Sequence, residues 1–284
     1  MSANLTVAAL LAEAIQRLRA TSASLAAGTL DAEVLLAHAL STSRTQLKTH
    51  PQTIPSAERA RRYGDLIERC ASGEPVAYII GYRDFWTLRL AVDPSVLVPR
   101  PETELLVERA LALVSAPQAS VADLGTGSGA IALALASERR EWRITATDRS
   151  ERALATARAN AKSLSLAHVE FLPGNWFEPL AGRRFDLLVS NPPYIAAGDP
   201  ALRHPALLRE PQDALTPGPD GMSCLRTLIH LAPQYLERRG WLLLEHGSDQ
   251  ATAVARELVV RGFGHVRSHR DLAGHDRATE AQWN

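Results

Sequence analysis

The stretch "LLVSNPPYIAAGDP", residues 187–200, ends an apolar run in four residues that could bind a planar polar group. Asn191 carries a carboxamide with one acceptor oxygen and two donor hydrogens. Pro192 and Pro193 have no backbone N–H, and their carbonyls are free to accept. Tyr194 adds a flat face against which a planar group can pack. Because the tip offers mainly acceptors, we expect all four residues to contact a substrate NH₂ group, with Asn191, Pro192 and Tyr194 as the catalytic residues.

The chemistry that such a tip would support is transfer of a group to a weakly nucleophilic nitrogen. An amide or exocyclic aromatic nitrogen has a delocalised lone pair. Two hydrogen bonds that draw its hydrogens toward acceptors raise the electron density on nitrogen, and a fixed geometry lowers the barrier further. No strong base is needed, because the product can lose a proton after the transfer. A proline-stiffened turn is the alternative interpretation of the tetrapeptide.

A glycine-rich segment, "VADLGTGSGAIALALA", lies upstream between a predicted strand and a predicted helix. Glycines allow the backbone to turn tightly and let a ligand lie against it. Gly125, Gly127 and Ala130 also fit the dinucleotide pattern G-x-G-x-x-A, and Asp148 follows at about the distance expected for a ribose-binding carboxylate. The pattern alone therefore leaves a dinucleotide, another nucleoside cofactor or a simple strand-to-helix turn open.

Asp123, directly before the glycines, favours a cationic ligand. A carboxylate there would repel a pyrophosphate, but it can help to hold a ligand that carries an ammonium or a sulfonium. S-adenosylmethionine carries both charges, and Asp148 would then bind its ribose hydroxyls. Trp176, in "GNWFEPL", either lies beside the adenine or packs in the core.

The elements that must position these residues divide the chain near residue 75. We predict a helical N-terminal domain over residues 1–75, with a helix N-cap at Ser56. A β-hairpin linker over 76–97 follows, with its turn at Gly81 to Asp84. Strands and helices alternate in the remaining domain, residues 98–284. That alternation predicts an α/β fold with a parallel sheet, helices on both faces, and ligands at the carboxyl ends of the strands.

Several further motifs give the chain a resemblance over essentially its whole length. "GEPVAYIIG", "VLVPRPETE", "DLGTGSGAIALALA", "SNPPYI", "EPQDALTPGPDGM" and "DLAGHDRAT" resemble the HemK/PrmC family of peptide chain release factor glutamine N5-methyltransferases. The resemblance implies a Rossmann-like class I S-adenosylmethionine-dependent methyltransferase behind a small helical bundle. It implies methylation of the glutamine amide in the Gly-Gly-Gln motif of class I release factors, with S-adenosylhomocysteine as the product.

The resemblance also implies residue roles. Asn191 would face both cofactor and substrate. Apart from the resemblance, Arg100 either positions the substrate or caps the following helix, and Glu210 either binds the substrate or pairs with a nearby arginine. Together with Asp123, which the charge argument adds, the predicted cofactor-binding residues are Gly125, Thr126, Gly127, Ser128, Gly129, Asp148, Trp176 and Asn191. We predict no metal site, because the two cysteines, Cys70 and Cys224, have no metal-ligand spacing.

Charge helps to choose between classes of protein. Lys plus Arg equals Asp plus Glu at 31 each, so no global field favours nucleic acid or an anionic membrane. This disfavours the nearest competing function, a methyltransferase that acts on adenine N6 or cytosine N4. A non-catalytic binding module and a dinucleotide-dependent dehydrogenase are two further candidate functions. Glu13 interrupts the apolar N-terminal segment, so we predict no signal peptide, and we expect a monomeric cytoplasmic enzyme.

Overall fold

The computed structural model describes residues 5–19 and 25–284. The chain divides into two units: residues up to Gly81 together with Arg203–Arg209, and Tyr82–Leu202 together with Glu210–Asn284. The parts of the N-terminal prediction that fall on residues 1–4 and 20–24 lie outside the described residues. No helix in the described part of the chain is long and apolar enough to cross a membrane.

The first unit is helical. Its helices are α1 (Val7–Leu18), α2 (Leu25–Leu40), α3 (Arg44–Thr49), α4 (Ala57–Ala71) and α5 (Val76–Ile80). Leu10, Leu35 and Leu66 from α1, α2 and α4 meet in one apolar cluster. The predicted cap at Ser56 is confirmed, since its side chain accepts a hydrogen bond from the Arg59 amide.

The predicted hairpin is present but begins later than expected. Residues Val76–Ile80 are helical rather than extended, because Pro75 fits a helix N-terminus and Gly81, at φ +83°, ends the helix in the left-handed region. Strands β1 (Tyr82–Phe85) and β2 (Leu88–Ala91) follow, so the turn falls at 86–87 rather than at Gly81 to Asp84.

The second unit is built on a seven-stranded sheet. Its strands are β3 (Ser120–Leu124), β4 (Arg143–Asp148), β5 (Glu170–Pro173), β6 (Phe185–Ser190), β7 (Leu236–Glu245), β8 (Gly264–Arg270) and β9 (Asp276–Gln282), in the order β5-β4-β3-β6-β7-β9-β8. The helices are α6 (Glu104–Leu113), α7 (Ala130–Glu138), α8 (Glu151–Ser163), α9 (Ser223–Leu231) and α10 (Ala251–Arg261). The α/β class predicted from the sequence is confirmed.

The sheet is mixed rather than purely parallel. Strands β3 to β7 are parallel, but β9 runs antiparallel to β7 and to β8. The physical reason is the five-residue connection 271–275 between β8 and β9, which is long enough for a hairpin and too short for a parallel crossover. The five parallel strands still bring their carboxyl ends to one edge, where the predicted motifs lie.

Side-chain alternation in the central strands explains the two-sided core. In β6, Leu187 and Val189 pack into one buried apolar cluster with α6 and α7, whereas Leu188 packs into a second with α9 and α10. Successive strand residues point to opposite faces, so the continuous apolar run "LLV" fills both. This rigid centre fixes the strand ends that carry the candidate site.

Candidate active site

The glycine segment forms a tight turn between β3 and α7. Gly125, Gly127 and Gly129 all have positive φ, at 76°, 56° and 86°. The amides of Gly125 and Thr126 both donate to the Thr147 carbonyl at 2.8 and 2.9 Å, which binds the turn to the end of the neighbouring strand β4. The backbone conformation therefore explains the three glycines, since other residues rarely adopt it.

Trp176 lies against the first of these glycines. A Cβ atom at Gly125 would come within 2.9 Å of the Trp176 ring. The ring is half-buried beside the second apolar cluster, and the Thr147 hydroxyl donates to the Trp176 carbonyl at 2.9 Å. The Trp176 ring thus lies at the glycine turn and also packs on the core, and its contact with adenine stays a prediction.

Asp148 is held by backbone amides at the end of β4. Its Oδ2 accepts from the Gly127 amide at 2.9 Å, and its Oδ1 accepts from the Ser150 amide at 2.8 Å. A carboxylate can accept about four hydrogen bonds, so both oxygens keep capacity for ligand hydroxyls. Asp148 is half-buried beside the glycine turn, and ribose binding by this residue stays a prediction.

Asp123 lies beneath the loop rather than at its surface. Its side chain is fully buried, and Oδ2 accepts from the Thr126 hydroxyl at 2.6 Å and the Ala132 amide at 3.2 Å. Burial raises the pKa of Asp123 to about 7, and these hydrogen bonds partly oppose that rise. The contacts make Asp123 a residue that shapes the glycine turn. Its Oδ1 is buried without a hydrogen-bond partner, and contact between Asp123 and a cofactor stays a prediction.

The "NPPY" segment follows β6 directly beside this turn. The Ser190 hydroxyl donates to the Leu124 carbonyl at 2.6 Å, which joins the ends of β6 and β3. Asn191 Nδ2 donates to the Thr103 hydroxyl at 3.0 Å. With its donor side bound by Thr103, the half-exposed carboxamide has its acceptor oxygen Oδ1 left for a ligand.

The rest of the segment is fixed by its own contacts. Pro192 is buried and Pro193 half-buried. The Tyr194 hydroxyl donates to Glu245 Oε1 at 3.2 Å, and Gln250 donates to the Tyr194 carbonyl at 3.0 Å. Burial raises the pKa of the Tyr194 phenol, so it stays protonated at neutral pH. Tyr194 can therefore offer a ring face to a substrate while its hydroxyl stays bound.

The adjacent Glu245 and His246 do not form an acid/base pair. His246 is fully buried, with Nδ1 2.9 Å from the Gly247 carbonyl and Nε2 2.8 Å from the Thr279 hydroxyl. A carbonyl only accepts, so Nδ1 carries the proton and Nε2 accepts from Thr279. Burial lowers the pKa of His246 and keeps it neutral. These contacts give His246 a structural role in packing.

Arg100 and Glu210, both predicted at the substrate, bind each other. Arg100 Nη2 lies 2.5 Å from Glu210 Oε1, and Glu210 Oε2 accepts from the Val98 amide at 3.1 Å. The Glu210 side chain is 1% exposed and the Arg100 side chain 33%. Glu210 therefore fixes Arg100 and the segment before α6. Arg100 stays available at the surface, and its contact with substrate stays a prediction.

Replacing Glu210 with glutamine should lower the free energy of unfolding by about 2 kcal/mol, because a hydrogen-bonded buried charge pair is broken. Chemical denaturation measures the free energy of unfolding of the variant and of the wild type. Asp213→Asn is the matched control: Asp213 pairs with Arg149 at 3.1 Å, but its side chain is 87% exposed. The control should cost less than about 1 kcal/mol. Equal losses in the two variants would show that the Arg100 pair contributes no more than a surface pair.

Two residues of the site were missed by the sequence analysis. Thr103, directly before α6, is buried, and its hydroxyl accepts from Asn191 Nδ2. Asn160, inside α8, donates to the carbonyls of Ala91 and Ser128 at 3.0 and 2.9 Å and accepts from the Ala91 amide at 2.8 Å. An asparagine inside a predicted helix was the available signal, because its side chain competes with helical hydrogen bonding unless it has other partners.

Comparison with known proteins agrees with this geometry. The PrmC N-terminal domain model matches residues 9–81, and the methyltransferase small domain model matches residues 101–222. A solved 16S rRNA N2 G1207 methyltransferase from T. thermophilus, in complex with AdoMet and guanosine, shares the fold with a TM-score of 0.52 at 18% identity. The match covers 72% of this chain and 50% of that chain.

The fold and the site thus define a Rossmann-like methyltransferase. The "Release factor glutamine methyltransferase" of Pseudomonas aeruginosa is 51% identical over 89% of this chain and 92% of its own length. The protein of that name from Aliivibrio fischeri is 42% identical over 99% and 98%. The chain belongs to the release factor glutamine methyltransferase family.

Proposed function

We propose that this protein transfers a methyl group from S-adenosylmethionine to the side-chain amide nitrogen of the glutamine in the Gly-Gly-Gln motif of class I release factors. The observation that carries the proposal is the orientation of Asn191. Its donor side is bound by Thr103 at 3.0 Å, which leaves its acceptor oxygen for a ligand, and the preceding Ser190 is bonded to Leu124, where the glycine turn begins. A primary amide, with two hydrogens to donate, complements that acceptor.

The residues at the strand ends fit S-adenosylmethionine. A Cβ at Gly127 would meet nothing within 4 Å, so the turn is open where a ligand would lie, whereas Trp176 closes the side next to Gly125. We assign the adenine to Trp176, the ribose hydroxyls to Asp148, and the turn from Gly125 to Gly129, including Thr126 and Ser128, to the rest of the cofactor. When bound, the cofactor supplies a methyl group on a positively charged sulfur.

The chain's own part in the reaction is to bind and orient the acceptor amide. Asn191 Oδ1 would accept one amide hydrogen and the Pro192 carbonyl the other. Both bonds raise electron density on nitrogen, which otherwise shares its lone pair with the carbonyl. Pro193 stiffens the tip, and Tyr194 packs on the plane of the amide. Holding the nitrogen in one orientation removes the entropy cost of alignment from the transfer step.

Charge and family membership favour a protein substrate over nucleic acid. An enzyme that extracts a base from a duplex needs a basic footprint, whereas this chain has net charge +0. The relatives from Pseudomonas aeruginosa and Aliivibrio fischeri, which match most of the chain, carry the name "Release factor glutamine methyltransferase". We propose that the enzyme acts as a monomer on class I release factors and does not bind nucleic acid directly.

The test is a transfer assay with methyl-labelled S-adenosylmethionine. The acceptors are a purified class I release factor, the same factor with its Gly-Gly-Gln glutamine replaced, and a nucleic-acid control. Label on the unmodified factor alone would support the proposal. Label on nucleic acid would overturn the proposed substrate, and binding of cofactor without any label transfer would favour a binding module.

A further inference from the structure

Asn160 is a buried asparagine in α8 whose side chain joins two separate segments of the second unit. It is 1% exposed. Nδ2 donates to the Ala91 carbonyl at 3.0 Å and to the Ser128 carbonyl at 2.9 Å, and Oδ1 accepts from the Ala91 amide at 2.8 Å. Both amide hydrogens are therefore used. These partners also fix the orientation of the carboxamide, because an oxygen in the place of Nδ2 would face two carbonyls that only accept.

One of the two segments is the hairpin. Ala91 is the last residue of β2. The Asn160 carboxamide bonds to the amide and the carbonyl of Ala91 together, as a residue of a neighbouring antiparallel strand can. A side chain of α8 therefore holds the end of β2.

The other segment is the glycine turn, in which Ser128 is buried. The amide four residues after Ser128, that of Ala132, donates to Asp123 Oδ2 at 3.2 Å. The Ser128 carbonyl accepts from Asn160 instead. A donor from α8 thus satisfies a buried carbonyl inside the turn, where an unpaired carbonyl would be costly.

A second contact brings α8 against the same turn. A Cβ atom at Gly129 would lie 3.3 Å from the Ala157 Cβ. Ala157 precedes Asn160 by three residues, so the two residues lie on one face of the helix. The helix therefore contacts the turn at Ser128 by a hydrogen bond and at Gly129 by close packing.

We infer that Asn160 is a positioning residue for the cofactor: it holds the Ser128 carbonyl, and so the glycine turn, in the conformation that binds S-adenosylmethionine, and it couples that turn to β2. The inference rests on the proposed assignment of the cofactor to the glycine turn. Asn160 is covered by the protein and would touch neither cofactor nor substrate.

The expected effect is a change in the fraction of molecules whose turn can bind the cofactor. Without Asn160, the Ser128 carbonyl loses its donor, and conformations of the turn that return this carbonyl to water gain population. The apparent affinity for a ligand falls in proportion to the fraction of molecules that can bind it. Cofactor affinity is therefore the quantity that should respond.

Calorimetric titration with S-adenosylmethionine measures this effect in two variants. Asn160→Leu has no hydrogen-bonding side chain, and Asn160→Asp keeps an acceptor for the Ala91 amide but, as a carboxylate, loses both donors. Each variant should bind the cofactor roughly tenfold or more weakly than the wild type. Wild-type affinity in both would overturn the inference, unless the cofactor lies away from the turn.

Thr156→Val is the matched control on the same helix. Thr156 is 9% exposed, and its hydroxyl donates to Asp93 Oδ2 at 3.0 Å. Its described hydrogen bonds do not reach the glycine turn. The control should bind the cofactor with wild-type affinity. A loss equal to that of the Asn160 variants would show that any weakening of α8 has the same effect, and the inference would fail.

Hydrogen exchange of the Ala91 amide, followed by nuclear magnetic resonance, tests the coupling in a way that a purely structural role would not affect. This amide donates to Asn160, so cofactor binding at the turn should slow its exchange. The Trp283 amide, which donates to the Gly240 carbonyl at 2.8 Å, is the reference for overall stabilisation by the ligand. The cofactor should slow exchange at Ala91 more than at Trp283 in the wild type, but not in Asn160→Asp.

A difference between the two amides that is absent from the wild type, or that persists in Asn160→Asp, would overturn the inference. The wild-type comparison also decides the outcome if neither Asn160 variant folds.

Gly125→Ala, which changes the turn itself, distinguishes failure of the inference from failure of the proposed cofactor site. Weaker binding in Gly125→Ala without weaker binding in the Asn160 variants would keep the cofactor at the turn and overturn the role of Asn160. Wild-type affinity in all three variants would overturn the assignment of the cofactor to the turn and the inference with it. The titrations contain no methyl acceptor, so their results do not depend on the proposed release-factor substrate.

Discussion

Replacing Asn191 with alanine is expected to lower methyl transfer by about two to three orders of magnitude, the effect of removing one oriented hydrogen-bonding group from a reacting centre. The expected cause is the loss of one hydrogen-bond acceptor. Asn191 Oδ1 is the free acceptor at the tip of β6, since its NH₂ side is bound by Thr103. Without it, one hydrogen of the acceptor amide has no partner, and the nitrogen loses both electron density and alignment. Cofactor affinity should change little, because the lost acceptor serves mainly the substrate.

The measurement pairs transfer kinetics with calorimetric titration of S-adenosylmethionine. Asn284→Ala is the matched control, because Asn284 is exposed and bonds only to the Gly262 carbonyl among the described contacts. It should leave both rate and affinity at wild-type values. A loss of cofactor affinity in Asn191→Ala as large as the loss of rate would contradict this division of roles.

Sequence patterns located the candidate site because its residues are adjacent in the chain to strand ends. The runs that became β3, β4 and β6 are short and contain β-branched residues, and each is followed by polar or glycine residues that favour a turn. Parallel strands place these ends on one edge of the sheet. The glycine turn, Asp148 and the "NPPY" tip could therefore be brought together from the sequence.

What the sequence could not show depends on contacts between distant segments. Thr103 and Asn191 are separated by 88 residues, and no local pattern at either position indicates the other. Asp123 has the residue type of a ligand for a cation, but only the fold reveals that it is buried under the loop. Val76–Ile80 consists mostly of β-prone residues, and its helical state comes from its ends and from packing in the first unit. In each case tertiary context decides between local conformations or roles.

The second large effect, a loss of cofactor affinity, is expected when Gly125 is replaced. Gly125→Ala should weaken S-adenosylmethionine binding roughly a hundredfold, about 3 kcal/mol, through backbone strain and a clash with the Trp176 ring. The φ of +76° disfavours any side chain, and the new Cβ would lie 2.9 Å from the ring. Because the Trp176 carbonyl is fixed by Thr147, the ring cannot retreat with its backbone unless that bond breaks. The turn and the proposed adenine contact should be displaced together.

Gly127→Ala separates the two causes, because Gly127 has a φ of +56° but a Cβ there would meet nothing within 4 Å. In the free protein this variant should lose only the strain of the left-handed conformation, about 1 kcal/mol, from the free energy of unfolding, whereas Gly125→Ala should lose more. Chemical denaturation of the two variants without cofactor measures the difference. A double variant, Gly125→Ala with Trp176→Ala, should bind the cofactor only about 1 kcal/mol more weakly than Trp176→Ala alone, since the strain stays but the clash is absent. Additive losses would instead assign the whole effect of Gly125→Ala to its backbone conformation, and Trp176 would lose its role in shaping the turn.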